Sequence, residues 1–322
     1  MNKQFVFLFT MFIAMAVARQ TEAQWKQSPH KWDNGVSALA ANNGTLYAST
    51  SMDGMYDVNI FTSVDGINWK PLSPQLPSAY ATYLFISTAS DGSQYLFACT
   101  QYTIYRLKLG SAGAKWDENV DIHEATTGMA QCKKYGKSIY AACGGSGLFR
   151  SDDNGGKWVN EKFAAPDGYN PIKFTKIAVT DSNFYVATTK GLFVSSSPTD
   201  GDFAGTETFA IAQIAVAGKN IFTYSYSGGM RMSSDKGKTW TTINTGMEDC
   251  KGVYCMCTKS GNVYAGTDHG VYWYDAAKQT WKQENQGLTG TDNSVWEMAV
   301  AGTKLVIWSG NSVWYRLLAE IK

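Results

Sequence analysis

The sequence predicts an all-β protein built as a single seven-bladed β-propeller, with its last blade closed by the N-terminal strand. Three observations predict this architecture. A short motif that ends in tryptophan recurs along the chain, and an apolar strand phrase accompanies each repeat. Near the start, the Trp-Lys-Gln that follows Gln24 copies the Trp-Lys-Gln that follows Thr280. Repeats that cannot bury their own apolar faces stack against their neighbours, as propeller blades do.

The motif sets the repeat length. Its final tryptophans are separated by 47, 42, 82 and 41 residues, and they are Trp69, Trp116, Trp158, Trp240 and Trp281. The longest interval spans two repeats, so one unit, around residues 193–209, lacks its tryptophan. Seven related strand phrases run along the chain, namely LYAST, LFACT, IYAAC, FYVAT, IFTYS, VYAGT and LVIWS. Short alternating strands bounded by Gly and Asn turns therefore predict seven four-stranded units of roughly 43 residues.

The two ends of the chain predict how the ring closes. The sequence stops about one repeat after Trp281 without another motif, and the missing piece stands at the N-terminal end, around Trp25. We therefore expect the segment that begins at Gln24 to be the outer strand of the last blade. Such a strand joins the last blade to the first and leaves no open sheet edge at the junction.

The first 23 residues read as a secretory signal peptide, and residues 24–322 as the propeller. Lys3 precedes a mostly apolar run over residues 5–18, and small Ala23 marks the expected cleavage point. This predicts a secreted or periplasmic protein. The mature chain would carry 26 basic and 26 acidic residues, a balance that argues against nucleic acid and anionic membranes as partners. No later segment is long and apolar enough for a predicted membrane span, and we expect a monomer.

The motif is clearest in Ser233-Ser-Asp-Lys-Gly-Lys-Thr-Trp240, and we name it the box. Copies occupy residues 151–158 and, one residue shorter, 63–69. In a turn between strands, Asp accepts backbone N–H groups, Gly takes a positive φ, and Trp packs between sheets. Strand order places the box between the third and fourth strands, away from the usual ligand end. The predicted structural residues are Ser63, Asp65, Trp69, Ser151, Asp153, Gly155, Trp158, Ser233, Asp235, Gly237 and Trp240.

The pattern S-x-D-x-G-x-T-W resembles the Asp-box, or BNR repeat, of sialidases, xyloglucan-cleaving glycosidases, the sortilin ectodomain and a thylakoid-lumen photosystem II assembly factor. The resemblance implies a β-propeller. It leaves the activity open, because the families that share the repeat do unrelated things.

An enzyme of the sialidase type is disfavoured. That resemblance implies an Arg-Ile-Pro signature and three arginines for the substrate carboxylate, and the sequence has no Arg-Ile-Pro. After residue 23 the arginines all fall on predicted third strands, far from the axis, where we expect them to brace or solvate the blade exterior: Arg106, Arg150, Arg231 and Arg316.

A glycosidase of the xyloglucan type needs only two carboxylates at the ligand end. Weak candidates are Asp53, Asp57, Asp268 and Asp292, with Glu248 and Asp249 nearby in sequence. Those enzymes generally pair two propellers around a cleft, and a single ring is predicted here.

Metal and cofactor sites are not predicted. His30, His123 and His269 are the three histidines, with no two at ligand spacing, and no nucleophile elbow or phosphate loop occurs. In an exported chain six cysteines allow fifteen disulfide pairings. Two interpretations stay open: a cross-strand Cys132–Cys143 bridge, or small buried thiols inside the blades. The other cysteines are Cys99, Cys250, Cys255 and Cys257.

The predicted ligand end gathers the turns between second and third strands and the connections between blades. It is rich in aromatic and polar residues, and the predicted ligand-binding set is Trp32, Tyr56, Tyr80, Tyr102, Tyr169, Lys190, Tyr226, His269 and Asn311. Flat rings beside polar groups suit a glycan or a protein ligand. The sequence therefore favours an exported binding or scaffolding module. The alternative is a glycoside hydrolase that uses a carboxylate pair at this end.

Overall fold

The fold is an all-β ring of seven antiparallel four-stranded sheets. A computed structural model describes residues 24–30, 32, 35–50, 60–74, 76–77, 81–100, 103–121, 130–161, 163, 173–196, 198, 203–289 and 293–321. The predicted signal peptide, residues 1–23, lies outside the described residues. Within the described ranges, no helix combines the length and apolar character that a membrane crossing requires.

The strands follow one another in blade order. Blade 1 holds β2 (Val36–Asn42), β3 (Thr45–Thr50), β4 (Ile60–Ser63) and β5 (Lys70–Pro71); blade 2 holds β6 (Tyr83–Thr88), β7 (Gln94–Cys99), β8 (Thr103–Lys108) and β9 (Trp116–Asp121). Blade 3 holds β10 (Ala130–Tyr135), β11 (Ser138–Cys143), β12 (Gly147–Ser151) and β13 (Val159–Glu161); blade 4 holds β14 (Phe174–Val179), β15 (Phe184–Thr188), β16 (Gly191–Ser195) and β17 (Ala204–Glu207).

Blade 5 holds β18 (Gln213–Ala217), β19 (Asn220–Ser225), β20 (Gly229–Ser233) and β21 (Thr241–Thr242); blade 6 holds β22 (Val253–Lys259), β23 (Asn262–Thr267), β24 (Gly270–Asp275) and β25 (Thr280–Gln283). Blade 7 combines β1 (Lys26–Gln27) with β26 (Val295–Ala301), β27 (Lys304–Ser309) and β28 (Ser312–Leu317). Single turns of 3₁₀-helix occur at Gly144–Ser146 and Leu318–Glu320.

The ring closes as the sequence predicts, because β1 is the outer strand of blade 7. Lys26 pairs with Tyr315 and Gln27 with Trp314, antiparallel to β28. The first and last parts of the described chain therefore share one sheet.

Hydrogen bonds of Trp25 hold the N-terminal segment in its place in blade 7. Its indole Nε1 donates to the Glu284 carbonyl at 2.6 Å, and its backbone N–H donates to the Gln286 carbonyl at 2.8 Å. In blade 6, Trp281 Nε1 donates to the Ile243 carbonyl at 2.9 Å. The Trp281 N–H likewise donates to the Thr245 carbonyl at 2.8 Å. Trp25 therefore takes the place in blade 7 that Trp281 takes in blade 6.

The apolar core lies between the blades. Each second strand is covered on both faces, so residues such as Leu46, Phe97 and Ile139 have no exposed surface. Seven apolar clusters each join two neighbouring blades, and one of them joins blade 7 to blade 1. Burial of this kind contributes roughly 25 cal/mol per Å² of apolar surface. The stability of each blade therefore depends on its neighbours, as in other repeat proteins.

The boxes lie between third and fourth strands, as predicted. In blade 5, Ser233 Oγ accepts the Gly237 N–H at 2.8 Å and donates to Asp235 Oδ1 at 2.8 Å. The Thr239 hydroxyl and N–H donate to the Asp235 carboxylate at 2.6 and 2.9 Å and lower its pKa to about 2. Gly237 has a φ of 88°, which favours glycine. The polar atoms of the box are thus used within the turn.

The four arginines lie on third strands, as predicted, and brace the blades. Arg106 pairs with Asp117 of the adjacent fourth strand at 2.9 Å, and Arg150 pairs with Glu161 in the same way. Arg231 reaches Glu207 of the preceding blade, and Arg316, which is buried, pairs with Glu284 at 3.1 Å.

The predicted Cys132–Cys143 bridge is wrong. The register of β10 and β11 places Cys132 opposite Ala141 and Cys143 opposite Ala130, so the two thiols do not face each other. Cys132 Sγ instead lies 3.4 Å from Cys99 Sγ of blade 2. All six cysteines are free thiols, and four are buried: Cys99, Cys132, Cys143 and Cys255. The alternative prediction of small buried thiols is confirmed for these four.

Candidate functional site

The strand registers define a ligand face at one end of the ring. Inner strands begin where second strands end, since Val253 pairs with Thr267 and Val295 with Ser309. The blade connections and the turns between second and third strands therefore share this end. We name it the ligand face, and the boxes lie on the opposite face.

Four predicted ligand-binding residues lie in the described turns of the ligand face. They are Lys190, Tyr226, His269 and Asn311. Tyr226 is 74% exposed and meets the Tyr224 ring edge-on at 5.4 Å. Several other candidates lie outside the described residues: Asp53, Tyr56, Asp57, Tyr80, Tyr102, Tyr169 and Asp292.

Trp32 lies in a packed aromatic cluster between blades 7 and 1. Its ring is half-buried, and the rings of His30, Phe61, Trp69 and Trp308 meet it edge-on at centroid distances of 4.7 to 6.1 Å. These contacts resemble core packing rather than an open stacking platform.

Asp268 and His269 lie in the turn between β23 and β24, and backbone N–H groups already occupy the Asp268 carboxylate. Asp268 Oδ1 accepts the Lys251 N–H at 3.1 Å and the Gly252 N–H at 3.3 Å, and Oδ2 lies 3.2 Å from His269 Nδ1. Burial acts to raise the pKa of Asp268, but His269 and the two N–H groups lower it below the ordinary value overall. Cys250 Sγ also lies close, so three metal-ligand atoms fall within 4.8 Å of one another, a grouping that sequence spacing does not reveal.

Trp296 and Tyr254 mark the mouth of the central channel. Their rings stack at 4.2 Å with an interplanar angle of 13°, and Trp296 is 45% exposed. Both are the second residue of an inner strand, where the register shifts by a β-bulge. Bulges re-aim side chains, and here they direct two rings toward the mouth.

The channel itself is a cavity of about 520 Å³ lined by all seven inner strands. The registers place seven residues at one level, each opposite the fourth residue of the second-strand phrase. Six of the seven are polar, and we name them the polar belt: Tyr83, Gln131, Lys176, Gln213, Cys255 and Glu297. The seventh is Ala38.

Most of the polar belt joins adjacent blades. Inner strands are sheet edges, so their outer backbone groups need partners. Three belt residues donate to a backbone carbonyl of the next inner strand: Tyr83 to Cys132 (3.5 Å), Gln213 to Tyr254 (2.6 Å) and Cys255 to Val295 (3.6 Å). Two accept a backbone N–H of that strand: Gln131 from Ile177 (2.5 Å) and Glu297 from Leu39.

In the other two blades, the bond to the next blade is made by the bulge residue that stands one position before the belt level. In blade 1, which has Ala38 at the belt level, Ser37 Oγ donates to the Ala81 carbonyl at 2.7 Å. In blade 4, Thr175 Oγ1 donates to the Ile211 carbonyl at 2.8 Å. Lys176 is thus the polar belt member that takes no part in joining blades, within the part of the chain that is described.

The channel holds three charged side chains: Lys133, Lys176 and Glu297. Burial raises the pKa of Glu297 from 4.5 to about 7, although Lys176 and the Leu39 N–H oppose the rise. Burial also lowers the pKa values of Lys133 and Lys176 below 10.5. Perturbed carboxylates and amines inside a cavity are typical of functional sites.

Sequence reasoning missed the channel residues. The predicted ligand-binding residues all lie in turns and blade connections, because a Lys or Glu within an alternating strand is usually a solvent-facing residue. A usable signal was present, because aligning the seven phrases also aligns the residues before them. Lys176 and Glu297 then fall at one level.

Comparisons with known proteins place the fold but not a family. No protein-family model matches the chain, and no curated protein matches its sequence. Among solved structures, the WD40 β-propeller domain of Doa1 is similar, with a TM-score of 0.67, 12% identity, and coverage of 92% of this chain and 99% of that one.

Two further structures are similar to the chain. The extracellular domain of a hybrid two-component system from B. thetaiotaomicron has a TM-score of 0.67 and 15% identity, and the match covers 91% of this chain and 41% of that longer one. YCF48 bound to D1 peptide has a TM-score of 0.64 and 12% identity, with coverage of 91% and 96%. At these identities the likeness shows the β-propeller fold alone.

Proposed function

We propose that the chain is an exported binding module whose ligand face holds a segment of another protein. The exposed Trp296, stacked on Tyr254 at the channel mouth, carries this proposal. Among the described residues the exposed large hydrophobic side chains include two aromatic ones, Trp296 and Tyr226, and both lie on the ligand face. Exposed rings around a polar cavity are a common form of recognition surface.

A peptide ligand is favoured over a glycan by one comparison. YCF48, a protein of similar fold, is described with a D1 peptide bound. A glycan stays the second candidate, because sugars also stack on exposed rings. The box turns further support a proposed place for this chain among Asp-box propellers, with the box residues in a structural role.

The hydrolase alternative has weaker support. A glycosidase acid needs a raised pKa, whereas that of Asp268 is lowered and its oxygens are occupied by backbone N–H groups. Glu297 has the raised pKa, but it is the only carboxylate among the described residues that line the channel. Among the described residues that line the channel, Glu297 therefore has no second carboxylate to act with, while the candidates Asp53, Asp57 and Asp292 lie outside the described residues.

The test is a phage-displayed peptide selection on the immobilised mature protein, with a glycan array in parallel. Affinities of the selected peptides are then measured by calorimetry for the wild type, Trp296→Ala and the matched control Val64→Ala. Val64 is 80% exposed but lies in a box turn on the opposite face. We expect Trp296→Ala to weaken binding at least tenfold, or about 1.4 kcal/mol, and Val64→Ala to leave it unchanged.

Three results would contradict the proposal. Glycans without peptides among the ligands would assign the other ligand class. Turnover of any bound glycan would favour the hydrolase. Sensitivity to Val64→Ala alone would place recognition on the wrong face.

Export is a separate part of the proposal and rests on the first 23 residues of the sequence. Cell fractionation followed by N-terminal sequencing should find a chain that begins at Gln24 outside the inner membrane. A full-length chain retained in the cytosol would contradict it.

A further inference from the structure

Lys176 occupies an unusual position in the channel. Equivalent belt residues in five other blades are held by a hydrogen bond to the next inner strand, while in blade 4 Thr175 supplies that bond. Among the described residues, the Lys176 ammonium forms no hydrogen bond or ion pair; burial lowers its pKa, and the nearby Glu297 carboxylate opposes that lowering. Its donors are therefore available to the interior of the channel.

Lys133 adds a second ammonium to the same cavity. It stands two residues further along its strand than the polar belt, about 7 Å away at 3.3 Å per residue. Its own level is mostly small and apolar, with Ala40, Ala178 and Ala299 around it. Burial is the main cause that lowers the pKa of Lys176, and the nearby charge of Lys133 lowers it further.

The charges of the channel do not balance. Two ammonium groups face a single carboxylate, Glu297, and no ion pair closes between them in the described structure. Lys133, Lys176 and Glu297 are half-buried, and ammonium groups that lose part of their hydration are costly unless they are paired. A bound monoanion would supply the missing charge.

We propose that the central channel binds a small organic carboxylate, which accepts hydrogen bonds from the Lys176 and Lys133 ammonium groups. The cavity of about 520 Å³ is within the usual range for small-molecule sites, and amide groups of Gln131 and Gln213 flank it. A phosphate dianion fits less well, because it would face the Glu297 carboxylate. This site is distinct from the protein-binding surface proposed above and does not depend on it.

The test measures thermal unfolding and calorimetric binding with defined probes. Acetate, butyrate and benzoate are the monocarboxylates, inorganic phosphate is the competing anion, and choline is the cationic control, all in a low-chloride HEPES buffer at pH 7.5. The variants are Lys176→Met and the matched control Lys219→Met, an exposed lysine in a turn on the opposite face. Lys176→Arg tests whether a cation suffices.

We expect at least one carboxylate to raise the melting temperature of the wild type. Affinity for it should fall at least tenfold in Lys176→Met, stay unchanged in Lys219→Met, and be largely retained in Lys176→Arg. Unchanged affinity in Lys176→Met would overturn the proposal. Equal stabilisation by phosphate or choline, or no effect of any carboxylate, would also overturn it.

A second measurement needs only the wild-type protein. A crystal soaked with 4-bromobenzoate should show the anomalous signal of bromine inside the channel, with the carboxylate at hydrogen-bond distance from Lys176. Bromine found only at the protein surface would contradict the assignment. The Trp296→Ala experiment on peptide binding is read independently, so failure of one proposal leaves the other testable.

Discussion

Glu297→Gln should make the protein more stable at alkaline pH and nearly unchanged at acidic pH. Burial holds the pKa of Glu297 at about 7, against an ordinary 4.5. Because the folded state binds the proton more tightly than the unfolded state, the stabilising contribution is complete below pH 4.5 and is lost as the pH rises through about 7. Glutamine keeps the shape of the protonated acid and can still accept the Leu39 N–H.

The magnitude follows from the same values. A rise in pKa from 4.5 to about 7 corresponds to about 3 kcal/mol of lost folding free energy at high pH. The pKa of about 7 already includes the attraction between Glu297 and Lys176, so this attraction is not subtracted again. For a propeller of this size, about 3 kcal/mol corresponds to roughly 5 °C in melting temperature.

The assay is urea unfolding followed by tryptophan fluorescence at integer pH values from 5 to 9, without carboxylate buffers. The matched control is Glu248→Gln, an exposed residue whose pKa is lowered by the Gly246 N–H. Its titration falls below the pH range studied. Lys133, Lys176, Tyr83 and Cys255 also line the channel. Burial raises the pKa of Tyr83 and Cys255 above the ordinary values, so the phenol and the thiol stay protonated over the pH range studied.

Two outcomes would refute this reasoning. Parallel curves for Glu297→Gln and wild type from pH 5 to 9 would mean that Glu297 keeps an ordinary pKa. A variant less stable than wild type at pH 9 would mean that attraction between the Glu297 carboxylate and Lys176 outweighs the cost of burying the charge.

Three further predictions follow from the fold. Ser233→Ala should lower the free energy of unfolding by about 1–3 kcal/mol, because it leaves the buried Gly237 N–H without an acceptor. Urea unfolding measures this change against the exposed control Ser234→Ala, and equal values for the two variants would contradict the prediction. Trp25→Ala should lower the free energy of unfolding by about 3–5 kcal/mol, because the buried indole holds the N-terminal segment in blade 7, whereas Lys26→Ala at the next, exposed residue should lower it little. Equal effects would show that this closure does not contribute to stability. In native-state alkylation followed by mass spectrometry, half-buried Cys250 should react before the fully buried Cys143 and Cys255, because burial raises the pKa of all three thiols but holds those of Cys143 and Cys255 well above the ordinary value. The reverse order would argue against the described packing.

Ring closure was predictable because one conspicuous residue marks it. Trp25 carries the same two hydrogen bonds as Trp281, so the local sequence and the tertiary position repeat together. The position of the boxes was predictable for a similar reason, since strand order alone decides which turns share a face. Disulfide pairing was not predictable from spacing, because the register of β10 and β11 separates Cys132 from Cys143 by two positions.

The polar residues of the channel were not predicted, because each of them taken alone is compatible with an ordinary surface position. A glutamine, a tyrosine or a lysine inside an alternating strand is compatible with many roles, and only the shared level around the axis distinguishes Gln131, Lys176 and Gln213 from surface positions. That level depends on seven registers, four of which contain a β-bulge near the start of the inner strand. Bulges shift the alternation by one residue, so counting forward from the start of an inner strand misplaces the side chains, whereas counting back from the second-strand phrase does not cross the bulge.

The same bulges separate structural from available polar groups. Where the belt side chain bonds the next inner strand, as Gln213 and Glu297 do, it satisfies a backbone group at the unpaired edge of that strand, and this explains why the residue is polar. Where the bulge residue makes the bond instead, the belt position is released from this task. In blade 1 the released position is alanine, which shows that the fold does not require a polar group there. In blade 4 it is Lys176, which is costly to bury. The fold therefore does not require a lysine at this position, and the proposed carboxylate ligand would account for it.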